Sequence, residues 1–487
     1  RLRSSKEMSH SAIDEFMATR WVQLMPIFNQ FIRRCRPWLL AALAALALTL
    51  VESVPAASLT WDINRLTAGA QGGSGFWDTT TSNWLNGAVN QRFVSGDDVT
   101  FGGTAGVVST TATITAGSLT LNTAGYQFDV ANAGALTING GVQGIGDFTK
   151  QGAGTLVAAG VGNYSGIASL NGGQINVNAA RALGAGTIRF TGLGGTLNFF
   201  NDGSTNYLHN LMVEATAQIV ADRLSTPAPT NQRLKVGKLN VLSGGTLSVS
   251  GNTGFTPRAS HWTLSGWATL SLSGANGIFV TGNYSDSASA QIFLAGNNAA
   301  NRDAQGFQFA NGRSSTINGQ LDFQKPSGGN TLGASGAGTI VNLAGQILVD
   351  SGTAQTYFDV YSGGQIIVGD TAVIDTPKPK RPFSIIGDDT CTVIFSPGFV
   401  SNPSGSVGLS SVSVGNARWV TQSSGNIGMP TITFDIADGS IWETRSQDQT
   451  FAGTVDVNQS ISLQTGTKLT LTGTLTSDNN TRVLTKT

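Results

Sequence analysis

Along this chain a glycine is repeatedly followed, two positions on, by an aliphatic residue and, four positions on, by another apolar one, as in Gly117-Ser-Leu-Thr-Leu121. The motif returns at Gly134, Gly154, Gly173, Gly195, Gly245, Gly345 and Gly364, and Gly466 opens a variant with one residue inserted. From Gly117 to Gly195 the steps are 17, 20, 19 and 22 residues. Gly186, Gly237, Gly319 and Gly453 fit the motif but fall off that spacing, so the period is approximate. A short alternating strand entered through a turn glycine leaves one apolar face per unit, and only the next unit can cover it. The pattern predicts an all-β chain, a right-handed parallel β-helix (β-solenoid) with coils of about 17–22 residues. At about 4.8 Å per coil, roughly twenty coils would stack into a rod on the order of 100 Å long.

Composition separates this reading from disorder. The chain has 63 glycines in 487 residues, yet 40% of it is hydrophobic, set in alternations such as Leu-Thr-Leu-Asn that strands with one buried face require. Charged residues make up 11%, under half of the usual value of about 25%. From Ser58 onward there are 21 Lys plus Arg against 24 Asp plus Glu, so no basic surface recruits nucleic acid. Of those acids only Glu214 and Glu443 are glutamates. Aspartate suits turns and glutamate suits helices, so the skew argues against helical content.

Residues 1–57 are different material. No glycine precedes Gly69, and Arg33, Arg34 and Arg36 lead into the apolar run Trp38 to Val51, which ends at Ser53-Val-Pro-Ala-Ala57. A basic region, a short apolar region and small exit residues read as a secretory signal peptide cleaved after Ala56 or Ala57. The run is short of the roughly 20 apolar residues of a spanning helix. Cys35 would leave with the signal, and Cys391 alone would remain, as a small buried apolar residue and with no partner for an intramolecular disulfide.

Residues 58–115 are rich in aromatics and read as an N-terminal cap with the first coils. Two roles stand open for Trp61, Trp77 and Trp84: closing the open end of the core, or presenting rings that stack on sugars. Residues 116–374 form the main repeat region, in which Asn201 to Lys238 is weaker and Ser225-Thr-Pro-Ala-Pro-Thr230 reads as a projecting loop. Residues 375–384 carry three prolines and interrupt the coil, since proline gives no ladder donor. Residues 385–487 are looser β-helix and stop inside a repeat, at Val483-Leu-Thr-Lys-Thr487.

Phe148-Thr-Lys-Gln-Gly-Ala-Gly-Thr-Leu156, followed by Asn163-Tyr-Ser-Gly166 and Asn171-Gly-Gly173, resembles the autotransporter-associated β-strand repeat. Phe76-Trp-Asp-Thr-Thr-Thr-Ser-Asn-Trp84, Gly96-Asp-Asp-Val-Thr-Phe-Gly-Gly-Thr-Ala-Gly106 and Asn122-Thr-Ala-Gly-Tyr126 are similar to the start of large exported proteins of Verrucomicrobia and Planctomycetes that carry it. The chain departs from the repeat at Gly166-Ile-Ala-Ser169, where the family has Gly-Gly-Thr-Thr. The resemblance implies a passenger at the cell surface or secreted, tied to the outer membrane only through an anchor or barrel beyond this sequence. Its expected partners are a surface polysaccharide, a ligand on a host or neighbouring cell, and other copies of itself.

β-Helices also host enzymes that cleave polysaccharides, which need two carboxyl groups at a set separation. The visible doublets are Asp97-Asp98 and Asp388-Asp389, and neighbours on one strand point to opposite faces. His209 and His261, the histidines left after export, are isolated and read as surface or rung-edge residues. Gly144-Ile-Gly-Asp147 is a lone echo of a calcium-binding nonapeptide. The sequence thus points to an exported structural or adhesive β-helix with no catalytic, cofactor-binding or metal-ligating residues. The alternative is a secreted β-helix that binds or cleaves carbohydrate.

Overall fold

Alternating apolar and polar residues become strands whose buried positions stack from one coil to the next. The computed structural model describes residues 56–487, apart from 226–231, 252–254, 275–277, 297–305, 324–328, 350–354, 376–381, 389, 399, 402–410, 424–430, 435–438 and 479–482. The basic and apolar segment expected to direct export therefore lies outside the described residues, as do the Pro-rich loop after Ser225 and most of the 375–384 interruption. Ala57–Thr487 is one unit, and every regular element described in it is a β-strand.

The strands form a parallel β-solenoid. One sheet holds 13 strands, from Ile114–Ala116 to Val400–Ser401, and counts 13 successive turns. Its central column runs Leu136, Leu156, Ile175, Leu197 and Ile219, each the register partner of the next. All five are buried, and burying one such side chain is worth about 1.5–3 kcal/mol. The column continues through Val249, Leu272, Leu294, Phe323 and Val349. A second, 19-stranded ladder runs from Gly75–Phe76 to Leu475–Thr476, with Thr205–Asn206 as a side branch on Gln232–Val241.

The expected spacing holds at the start of this column, where partners lie 20, 19 and 22 residues apart, and then widens, with 30 residues from Ile219 to Val249. A change of cross-section accompanies this. Near the N-terminus a third sheet follows the 13-stranded sheet in chain order, as Leu119–Leu121 follows Ile114–Ala116. Between 145 and 306 each described coil has only two walls. From Ser314–Ile317 a different, eight-stranded sheet enters ahead of the 13-stranded one, at Gln320–Phe323 and thereafter. The segment from 201 to 238, where the repeat pattern weakens, holds the strands Asn210–Val213 and Thr216–Asp222 and the start of Gln232–Val241. After the proline-rich stretch the ladder resumes at Pro382–Gly387, with Phe383 paired to Thr356.

The motif that resembles a known repeat has a structural reason. Lys150 is fully buried, and its ammonium donates to the carbonyls of Gln151 (3.0 Å), Gly152 (2.7 Å) and Gly172 (3.1 Å), the last from the following coil. Gly173 sits at φ +69°, and a Cβ there would lie 2.4 Å from the Gly154 carbonyl and 2.7 Å from the Lys150 ammonium. The Lys and the Gly-Gly turn one coil later are thus one device. The two glutamates act alike: Arg189 meets Glu214 at 2.6 Å and Arg418 meets Glu443 at 2.5 Å. In both cases the glutamate lies two residues beyond the arginine's register partner, Met212 or Ile441. Outward amides stack too, with Asn198 donating to Asn176 at 2.8 Å.

Burial pulls the Lys150 ammonium down from 10.5 to about 8, against an opposing pull from the charge of Asp129. Between those values the unfolded chain keeps a proton that the folded chain has released, so stability rises with pH. The wild-type protein is expected to gain stability relative to Lys150→Met as pH rises from about 8 to 10.5, read from urea unfolding at each pH. A flat difference would show that the three carbonyls hold the ammonium charged throughout. At the N-terminal end, Trp84→Ala is expected to lower stability by about 3–5 kcal/mol, with the loss in hydrogen-exchange protection concentrated in residues 58–130.

Candidate functional site

The three tryptophans that could have offered a sugar platform are packed on one another. Trp61 and Trp84 lie 4.9 Å apart between ring centres, and Trp77 and Trp84 5.0 Å, all edge-on. None is more than 1% exposed. Phe93, Phe101 and Phe128 complete the cluster, and the Trp61 indole donates to the Gly73 carbonyl at 2.8 Å. The strand Ser58–Trp61 pairs in parallel with Asp98–Phe101 on one side and antiparallel with Trp84–Asn86 on the other, which in turn pairs antiparallel with Val89–Gln91. A hairpin thus ends this sheet above the aromatic cluster. Among the described tryptophans the exposed ring is that of Trp267, at 70%, in the turn after Phe255–Leu264.

The described carboxylates of the doublets accept hydrogen bonds within the protein. Asp97 accepts from the backbone N–H groups of Ala57 and Val94, both at 2.9 Å, and Asp98 from the N–H and hydroxyl of Ser118. Asp388 accepts from the Ser362 and Thr390 backbones, the Thr390 hydroxyl and the Cys391 thiol. Burial alone would raise its pKa, but the bonds from Cys391, Thr390 and Ser362 hold it down at about 2. Asp389 lies outside the described residues. Cys391 is buried, as expected of a lone cysteine. Among the described residues no three His, Cys, Asp or Glu side chains gather as a metal site.

His209, read as a surface or rung-edge residue, is not at the surface. It is fully buried, with Nδ1 3.4 Å from the Gly186 carbonyl and its ring beside Tyr207. Burial pulls its pKa down to about 4, with the carbonyl of Gly186 pushing the other way, so the imidazole is neutral at physiological pH.

His261 instead lines a polar cleft of about 470 Å³. The cleft comes from a bend shared by successive long strands. Phe255–Leu264 and Ile278–Asp286 change register between Ala259 and His261, after which His261 faces Asn283. Gly282 permits the bend, since a Cβ there would lie 1.7 Å from the Ser260 carbonyl. The corner is pinned by Ser260 Oγ donating to the Gly237 carbonyl (2.7 Å) and Asn311 Nδ2 donating to the Gly282 carbonyl (2.9 Å). One wall consists of His261, Thr263, Asn283 and Ser285; the other is the ledge Asn311–Ser315, where the eight-stranded sheet begins.

The lining holds one charge, the Arg313 guanidinium, and no carboxylate. Arg313 Nη1 donates to Asn283 Oδ1 at 3.0 Å, and its backbone N–H donates to Asn311 Oδ1 at 3.0 Å. Asp286, at the end of the strand that forms the wall, is occupied: it accepts the backbone N–H groups of Asn318 and Gly319 and the Asn318 amide. Its pKa is raised by burial, against the pull of those bonds. The arrangement suits recognition by hydrogen bonds. Apart from His261, the sequence did not single these residues out. On alternating strands an outward Asn, Ser or Thr looks the same whether it faces open solvent or a cleft, and the pointer present was Asn311-Gly-Arg-Ser-Ser315, a polar turn with a cation outside the main motif.

No family model matches the chain. Over 163 residues, 29% of the chain, it is 31% identical to the protein described as Adhesin BmaC autotransporter from Brucella suis biovar 1 (strain 1330). The aligned part is 5% of that protein's length. A partial likeness to an autotransporter adhesin thus accompanies a parallel β-solenoid fold.

Proposed function

We propose that this chain is a stretch of an exported, adhesive β-solenoid that works at the cell surface, in the manner of an autotransporter passenger and without catalysis. The observation that carries the reading is the stack of 13 turns, with outward Thr and Ser on strands such as Thr246–Gly251 and Thr269–Gly274, together with the likeness to an adhesin. Such a surface is polar with few charges, so contacts with a partner cost little desolvation of ions. Each added turn also presents a similar set of donors and acceptors, which suits repetitive partners such as polysaccharides or cell-surface glycoproteins. The aromatic cluster and hairpin at the N-terminal end act as a cap over the first turn, and the basic and apolar segment before Ala57 directs export.

Beads coated with the purified chain are expected to adhere to cultured cells or to polysaccharide-coated wells above albumin-coated beads. Antibodies against the chain are expected to label intact cells of the producing organism. Adhesion no better than albumin would sink the adhesive reading, and labelling only after permeabilisation would sink the surface location.

A further inference from the structure

We infer that the cleft between the bent strands and the ledge at Asn311–Ser315 binds a saccharide unit bearing a carboxylate. For its biological purpose this rests on the adhesive reading; for its chemistry it does not. A cleft of about 470 Å³ is in the size range of small-ligand sites, enough for one or two sugar rings. Its walls carry hydroxyl, amide and imidazole groups, which can both donate to and accept from sugar hydroxyls.

Arg313 sets the preference for an acid. The Asn283 carbonyl oxygen holds one of its nitrogens, and Asn311 fixes its backbone, so the guanidinium is oriented before a ligand arrives. Its remaining N–H groups have no protein partner among the described residues, and a planar fork of that kind fits a carboxylate with two parallel bonds. With no carboxylate in the lining, an acidic ligand meets no local repulsion, whereas a cationic one gains no partner. The site exists because the third wall begins here. A coil with two walls meets a coil with three, and the step between them is the cleft.

The test is a calorimetric titration of the purified chain with a galacturonic acid trisaccharide and with its neutral galactose counterpart. Two variants are compared with the wild type: Arg313→Gln, and Ser285→Trp, which fills the cleft. The wild type is expected to bind the acidic trisaccharide at least roughly tenfold more tightly than the neutral one, the size of one lost charge-assisted hydrogen bond. R313Q is expected to lose that preference, binding the two trisaccharides equally, and S285W to lose both ligands with an unchanged thermal melt. Absence of saturable binding by the wild type, equal affinity for the two sugars, or binding undiminished in both variants would overturn the inference. Saccharide binding of the expected kind by a chain whose beads fail to adhere would remove the adhesive reading and leave the site standing.

Discussion

Every coil of this protein must place its backbone within hydrogen-bonding distance of the coils above and below. Parallel strands bond only when their register is fixed, and register decides which side chains meet the core. From this follow the apolar column from Ile114 to Val349, the glycines where turns from successive coils crowd, and the scarcity of charge. A charged side chain facing inward would be stacked between neighbours and cut off from water. Where an ion does lie inside, as at Lys150, the backbone itself supplies the acceptors.

The features with chemical character arise where regular stacking is disturbed. At the N-terminal end the first described parallel strand is flanked on one side by an antiparallel hairpin in place of a coil, and a cluster of rings lies there too. In the middle, a bend at Gly282 and the entry of the eight-stranded sheet leave a concavity.

The glycine motif made much of this architecture legible, and the reason is specific. Six of the eight repeats with regular form, those at Gly134, Gly154, Gly173, Gly195, Gly245 and Gly345, enter strands of a single sheet, the one with 13 strands. In the longer ladder the motif opens fewer strands, as at Gly186 before Thr187–Phe190 and Gly453 before Thr454–Val457, while Phe148–Gln151 and Tyr126–Val130 are not entered through it. In 201–238, where the motif weakens, the described strands Asn210–Val213 and Thr216–Asp222 are entered without its glycine. Burial of the tryptophans could be argued in advance from the need to close an open core, but sequence could not decide it against a surface platform. The cleft was out of reach, since it joins residues of three coils whose alignment depends on loop lengths.

The bond from Lys150 to the Gly172 carbonyl bears on how such a chain can grow. The lysine is on one coil, while its third acceptor and the glycine that makes room for it are on the next. A gene duplication that copied one coil and cut between them would strand an ammonium in the core or leave a carbonyl bare. Copies that preserve the fold must therefore carry the lysine together with the Gly-Gly turn that follows it, so the heritable unit here is longer than the geometric one and spans the boundary between two turns.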